Sequence, residues 1–539
     1  MITFLLKGSN NMAKKTTTLA QALWNSADEL RSHMDANEYK NYLLGLVFYK
    51  YLSDNLLHKA ADLLEEEPNN LDEAQKIYEE AYENDALRDI LLTELQNANG
   101  YTLEPHETYT AIIEKVNNRT FELVELEQAF RDIEQSDQTY VGLFDDVDLQ
   151  STRLGPNPQK RNDRISAVML SLEDVDLSEY GGDALGDAYE YLIGQFASES
   201  GKKAGEFYTP QAVSNLMTRI SMLGKEDTRG LTVYDPTMGS GSLLLNVKAY
   251  SDQPDSIYYF GQEINTSTLN LARMNMILHN VGIGQQKFRN GDTLDDDWPT
   301  DEPTNFDMVL MNPPYSAKWS SSDAFLDDSR FAAYGKLPPK SRADLAFLLH
   351  GYYHLRTDGT MAIVLPHGVL FRGGAESTIR QKLLEDGSID AVIGLPENLF
   401  FNTSIPTTII ILKKDRDNRD VMFIDASEEY KKVRNQNVME KEHIDKVIDA
   451  YVNREFVDKF AYRAEFDEIV ENDYNLNIPR YVDTFEEPEP IDVVQLSQDI
   501  KEIDKELDQH KSEFLDMVDD LQVTNENSDI IKAIKEVFQ

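Results

Sequence analysis

From Leu231 to Leu412 the chain alternates short apolar runs with helical stretches, and this limits its fold more than any other feature. Leu231-Thr-Val-Tyr-Asp235, Tyr258-Tyr-Phe-Gly-Gln-Glu263, Phe288-Arg-Asn-Gly-Asp292 and Asn305-Phe-Asp-Met-Val-Leu-Met311 have the length and flanks of buried strands. Met361-Ala-Ile-Val-Leu365, Ile389-Asp-Ala-Val-Ile-Gly394 and Thr407-Thr-Ile-Ile-Ile-Leu412 continue the series. Between them Ser242 to Tyr250, Thr268 to His279, Ala343 to Leu355 and Glu376 to Glu385 read as helices. Such alternation predicts an α/β fold with a doubly wound parallel sheet. The last two strands lie too close for a helical crossover, so one of them is expected to be an antiparallel edge strand.

The flanks are different. Thr17 to Arg131 is helical in pattern, as where Leu43, Val47, Phe48, Tyr51 and Leu52 recur at three and four. Leu154-Gly-Pro-Asn-Pro-Gln159 reads as a linker. Thr209-Pro210 reads as the cap and first residue of a further helix. Beyond Pro479 the chain becomes charged, and Val493, Leu496, Ile500, Ile503, Leu507, Phe514, Met517 and Leu521 fall on a heptad seam broken only by His510. The seam suits either a partner-binding coiled coil or a helix folded back on its own domain. Three domains are expected: a helical front over 1–155, the sheet domain over 156–480 and a helical tail over 481–539.

Composition removes whole classes of chemistry. The 539 residues include no cysteine, which excludes disulfides, thiolate nucleophiles and cysteine-bound zinc. The nine histidines have no metal-site spacing, and neither a P-loop nor a dinucleotide fingerprint is present. No apolar run reaches the length of a spanning helix, and Met1 to Leu6 is too short for a signal segment, so a cytoplasmic protein is expected. Met12, ahead of Ala13-Lys-Lys, is an alternative start. The formal charge of −44 repels phosphate, so a nucleic-acid substrate would need a basic partner to supply much of the grip.

Two strand ends carry the candidate chemistry. Asn312-Pro313-Pro314-Tyr315 follows the fourth strand, where open α/β sheets bind ligands. Two prolines fix the backbone and remove two donors, leaving the Asn312 amide and adjacent carbonyls as a rigid acceptor edge beside an aromatic face. That edge suits a planar amino group. Asp235-Pro-Thr-Met-Gly-Ser-Gly241 follows the first strand, and Gly239 and Gly241 let backbone approach a ligand at a helix N-terminus. Glu263 ends the second strand, where a carboxylate can accept hydrogen bonds from ribose hydroxyls.

Together these residues resemble the S-adenosylmethionine-dependent methyltransferases of exocyclic amino groups, and in particular the modification subunits of type I restriction-modification systems. The resemblance extends over the helical front, Leu185-Gly-Asp-Ala-Tyr-Glu-Tyr-Leu-Ile193, Gly205-Glu-Phe-Tyr-Thr-Pro210, the two loops above and Leu395-Pro-Glu-Asn-Leu-Phe-Phe-Asn-Thr-Ser-Ile-Pro406. It implies S-adenosylmethionine as cofactor, contacted by Glu206, Phe207, Tyr208, Thr209, Asp235, Thr237, Gly239, Ser240, Gly241, Glu263, Asp292 and Asn312. It also implies N6 methylation of a flipped-out adenine by Asn312, Pro313, Pro314 and Tyr315, with Phe400 or its neighbour Phe401 as a second stacking ring. The implied partners are double-stranded DNA, a specificity subunit, a second copy of this chain on the same specificity subunit, and a motor-nuclease subunit.

The residue types fit that chemistry. Adenine's amino lone pair is delocalised into its ring. If the Asn312 oxygen and the Pro313 carbonyl accept the two amino protons, the nitrogen can move toward sp³ and aim its lone pair at a methyl donor. Methylation at carbon 5 of cytosine needs a thiolate, which this chain lacks. Lys318, Arg330, Lys336 and Lys340, between Ser316 and Lys340, form a candidate DNA-contacting loop. Two other functions use the same features: N-methylation of a protein glutamine at the same acceptor edge, and a non-enzymatic acidic scaffold or DNA mimic.

Overall fold

The computed structural model describes residues 19–26, 28–31, 33–173, 175, 177, 182–199, 208–400, 405–433, 436–484, 492–524 and 527–538. They form two compact units, residues 1–483 and 484–539.

The first unit is built on a sheet of nine strands. In chain order the strands are β1 (Thr232–Asp235), β2 (Tyr258–Glu263), β3 (Gln286–Asn290), β4 (Phe306–Met311), β5 (Leu355–Pro366), β6 (Ile389–Gly394), β7 (Thr407–Lys413) and β8 (Val421–Asp425). A separate hairpin of β9 (Lys431–Val433) and β10 (Gln436–Val438) follows, and then β11 (Ala461–Ala464) returns to the main sheet. The order across the sheet is β11-β8-β6-β7-β5-β4-β1-β2-β3. From β1 the chain winds outward through β2 and β3, then crosses back to place β4 on the other side of β1, with Val233 opposite Met308 and Tyr234 opposite Val309. The direction of winding therefore reverses between β1 and β4, which opens a crevice at their carboxyl ends.

The expected antiparallel strand is β7, but it lies inside the sheet, paired antiparallel to both β5 and β6. The antiparallel edge is β11, bonded to β8. Each sheet face is buried. Val233, Tyr259, Met308, Leu310 and Ile411 pack on one side, and Tyr234, Phe260, Val309, Met311 and Leu412 on the other, as the two-residue period of a strand requires.

The helical front packs on the first of these faces through one helix. Thr266–Leu278 turns Leu269, Ala272 and Met276 toward the sheet core and Leu271, Met274 and Leu278 toward the core of the front. A helix buried on two sides has apolar residues around most of its circumference, and this one does. At the centre of the front, the 28-residue helix Ala36–Leu63 buries Leu43, Val47, Phe48 and Leu52, whereas Tyr51 is only half-buried. The expected linker is not a free connection. Leu154 is buried, and Asn157 caps the helix Pro158–Leu172, whose Ile165, Val168, Met169 and Leu172 join the core of the front. Among the described residues no helix is long and apolar enough to cross a membrane.

The second unit contains the helices Val493–Asp519 and Ser528–Phe538. The Asp492 carboxylate caps the first, accepting from the amides of Val494 and Gln495. Phe514 and Phe538 meet edge to face at 5.1 Å, and Val518 and Ile531 are buried. The heptad seam is otherwise open, with Val493 71% and Ile503 62% exposed.

Candidate active site at the crevice between β1 and β4

The Asp235 to Gly241 loop leaves β1 as a tight turn. Asp235 Oδ1 accepts from the Thr237 amide at 2.9 Å and from its hydroxyl at 3.2 Å. Gly239 and Gly241 adopt φ of 53° and 79°, the left-handed region that glycine enters without cost. The Ser242–Leu245 helix starts there and continues as a 3-10 turn to Tyr250, so the expected Ser242–Tyr250 helix is half α and half 3-10. Thr237, Gly239, Ser240 and Asp235 line a small cleft with Tyr208, Thr209 and Asn312.

Glu263 braces this loop from the end of β2. Its carboxylate accepts from the Gly239 amide at 3.1 Å and from the Asn265 amide at 2.8 Å. A carboxylate offers about four acceptor positions, so these two bonds leave room for a ligand's hydroxyls. Burial raises the Glu263 carboxyl, while its backbone bonds pull the other way. Burial also pushes the Asp235 carboxyl up to about 7 against the bonds from Thr237, with the charge of Glu263 adding to the rise.

Asn312 follows β4 and is held on both sides of its amide. Its Nδ2 donates to the Thr209 hydroxyl at 3.2 Å, and its Oδ1 accepts from the Tyr315 hydroxyl at 2.9 Å. Thr209 is available for this bond because the expected cap is shifted by one residue. Pro210 is the N-cap and the helix runs from Gln211 to Met222, which leaves Thr209 outside it. Burial raises the Tyr315 hydroxyl far above its usual range, helped by the charge of Asp344, so it remains a protonated donor. Asp344, itself fully buried, fixes the other side of this turn by accepting from the Ser316 amide at 2.7 Å.

Phe400 is buried and meets the Tyr315 ring edge to face, centroids 6.0 Å apart at 81°. The two aromatic groups thus fill each other's approach, and a base between them requires one ring to turn. Glu206, Phe207 and Phe401 lie outside the described residues. Asp292 falls beyond β3, which ends at Asn290. It is exposed, its carboxylate accepts from the Leu294 amide, and it is not among the cleft-lining residues.

The structure adds residues that the sequence did not single out. Glu190 is buried beneath the loop, accepting from Asn275 Nδ2 and Gln211 Nε2, and Asn275 Nδ2 also donates to the Ser240 carbonyl. A charged residue inside the apolar Leu185 to Ile193 stretch was the available signal. Asp297, His350 and His354 lie close enough together to share an ion, but their polar atoms already face protein groups. His354 contacts Asp297 and the Thr304 carbonyl, and His350 contacts Tyr234 and Arg330. The Arg330 guanidinium, 3.1 Å from His350 Nδ1, puts a permanent cation where an ion would have to sit.

Arg330 is therefore not a surface contact. It is 3% exposed, whereas Lys318, Lys336 and Lys340 are exposed. The segment that carries them is folded: Trp319 packs on Phe325 and Phe331, and its two ends pair through Ala343 N to Ala317 O and Trp319 N to Lys340 O.

Known families match both parts of the first unit. The profile described as HsdM N-terminal domain matches residues 19–172, and that described as N-6 DNA Methylase matches residues 180–490. The chain belongs to the N-6 DNA methylase family. Within this family it is similar to the type I restriction enzyme MpnII methylase subunit of Mycoplasma pneumoniae, 37% identical across 96% of this chain and 100% of that protein. The MjaVIII methylase subunit of Methanocaldococcus jannaschii is 32% identical over 89% of this chain and 80% of its own length. The crystal structure of a type I restriction-modification methyltransferase subunit from Streptococcus thermophilus covers 87% of this chain and all of that chain, with 64% identity and a TM-score of 0.86. This N-6 DNA methylase is thus a type I methylase subunit, a component of a type I restriction-modification complex and an adenine-N6 DNA methyltransferase. Its family uses S-adenosylmethionine as methyl donor.

Proposed function

We propose that the cleft beside Asn312 holds S-adenosylmethionine, and that Asn312 and Pro313 present a flipped-out adenine to it for direct methyl transfer. One observation carries this reading: Thr209, Asp235, Gly239 and Asn312 line the same cleft, although they come from separate parts of the sequence. The residues fit the cofactor. Gly239 brings backbone to the cleft, and Glu263 and Asp235 supply acceptors of the kind that ribose and ammonium groups seek. Glu206, Phe207, Tyr208, Thr209, Thr237, Ser240, Gly241 and Asp292 complete the proposed cofactor set.

Bound there, the cofactor would supply an electrophilic methyl group on a sulfonium. The protein's contribution is orientation. Asn312 Oδ1 and the Pro313 carbonyl accept hydrogen bonds from the two amino N–H groups, localise the nitrogen lone pair and turn it toward the cleft, and the proton that the methylated nitrogen loses passes to solvent. Pro314 keeps the edge rigid, and Tyr315 and Phe400 stack on the extruded base to offset part of the few kcal/mol, roughly, that unstacking costs. To do so Tyr315 must release Asn312 Oδ1 or share it through the second lone pair.

The same reading gives the chain a helical front over 1–155, a transferase domain over 156–480 and an assembly tail over 481–539. Its partners are double-stranded DNA, a specificity subunit that chooses the sequence, a second copy of this chain on that subunit and a motor-nuclease subunit. The exposed heptad seam and the charge of −44 support this division of labour, because a chain this acidic needs another subunit to hold DNA. The test is a split between binding and chemistry. Asn312→Ala should bind S-adenosylmethionine within about tenfold of wild type and lose methyl transfer by several kcal/mol, roughly. Undiminished transfer would end the proposed mechanism.

A further inference from the structure

Arg330 uses its whole hydrogen-bonding capacity inside the protein. A guanidinium has five N–H donors and cannot accept. Nη1 serves the Thr293 carbonyl at 2.9 Å and His350 Nδ1 at 3.1 Å, Nη2 serves the Leu294 carbonyl at 3.2 Å and Asp328 at 2.7 Å, and Nε serves Asp328 at 3.1 Å. Its guanidinium carbon also lies 5.1 Å from the centre of the Phe331 ring. A buried cation with every donor used is costly to displace, because each broken bond leaves an unpaired group out of water.

The partners belong to two different segments. Arg330 itself and Asp328, two residues before it, are on the Ser316 to Ala343 segment, which carries Lys318, Lys336 and Lys340. Thr293 and Leu294 follow Asp292 in the connection after β3, and the Thr293 hydroxyl donates to the Pro236 carbonyl beside Asp235. A relay secures the same connection further along. Because Arg330 can only donate, His350 Nδ1 accepts and its Nε2 carries the proton, donating to the Tyr234 hydroxyl at 2.9 Å. Tyr234 in turn donates to the Trp298 carbonyl at 2.6 Å. Burial holds His350 well below its usual pKa, consistent with a neutral ring in this role.

We infer that Arg330 is a positioning residue that couples the cofactor cleft to the Ser316 to Ala343 segment, so that a ligand ordering the Asp235 and Asp292 loops also orders the segment that carries Lys318, Lys336 and Lys340. The inference rests on the proposed reading of the cleft. Physically, one guanidinium clamps both segments, so neither can move without breaking bonds to the other, and ordering of one lowers the entropic cost of ordering the other.

Hydrogen exchange read by mass spectrometry on the full chain, with and without S-adenosylmethionine, tests this. In wild type the cofactor should slow exchange several-fold both at the Asp235 to Gly241 loop and across 317–340. Arg330→Met should still bind the cofactor by calorimetry and protect the loop, but leave 317–340 unchanged. Arg330→Lys keeps the buried cation but has one nitrogen where arginine has three, so it cannot hold the Thr293 and Leu294 carbonyls together with Asp328. It should reduce the response of 317–340, which decides the matter if Arg330→Met does not fold. Cofactor binding to wild type with no response in 317–340, or an undiminished response in either variant, overturns the coupling. Absence of cofactor binding to wild type overturns the cleft reading and the coupling with it.

Discussion

The Asn312 amide is oriented by two hydroxyl groups, and the one on Tyr315 can also be withdrawn. Tyr315→Phe keeps the stacking ring while freeing Oδ1, so single-turnover transfer is expected to stay within about tenfold of wild type. Tyr315→Ala removes the ring itself and should cost about 1–3 kcal/mol, or roughly 5- to 150-fold, in the same assay. Equal losses in the two variants would assign the role to the hydroxyl. Asp235 gives the site a pH dependence. Its carboxyl is raised to about 7 chiefly by burial, so part of it is protonated near neutrality. A cofactor carrying an ammonium group binds the ionised form better, so affinity should rise as pH passes upward through about 7 and flatten in Asp235→Asn, as calorimetry across that range can check. For folding the sign is opposite. A raised carboxyl favours the folded state below the unfolded pKa, and this contribution is lost as pH rises toward 7.

At the scale of elements, the exposed lysines of the Ser316 to Ala343 segment and the buried Arg330 separate two roles that looked alike in the sequence. Replacing Lys336 and Lys340 by Ala should weaken DNA binding by the assembled enzyme similarly for all sequences, and lower the salt slope by about 0.9 for each phosphate that is no longer neutralised. An unchanged slope would remove this segment from the DNA interface. The sequence could not reveal Arg330's role, because its acceptors are backbone carbonyls 36 and 37 residues earlier and a charge in a polar loop reads as solvated. Strands β1, β2 and β4 to β7 were legible, since each contains a local apolar run bounded by turn residues, whereas β3 was placed two residues late because Gln286 to Asn290 holds a single apolar residue. β8 was missed because Val421 to Asp425 follows a charged stretch with no intervening helix, and β11 because Ala461 to Ala464 has no apolar pattern at all. The Asn312 edge and the glycine loop were legible as motifs. Glu190 and Asn275 were not, because a buried polar pair is defined by packing across the sheet-to-front boundary.

At the scale of the whole molecule, an acidic chain with a cleft at the carboxyl ends of β1 and β4 and an open apolar seam on its tail is organised to work in an assembly. Replacing Ile500 and Ile503 by Asp should leave cofactor binding intact and abolish co-elution with a specificity subunit, because both side chains are exposed and neither supports the core of the first unit. Persistence of the complex would move the contact elsewhere. Asn312 is expected to act on adenine N6 in DNA delivered by a partner. Labelled methyl transfer from S-adenosylmethionine to duplex DNA, with product bases identified, measures it directly. N6-methyladenine is expected from wild type with its specificity subunit, little product from this chain alone and none from Asn312→Ala in the complex. Full transfer by Asn312→Ala, or transfer to a base other than adenine, would contradict it.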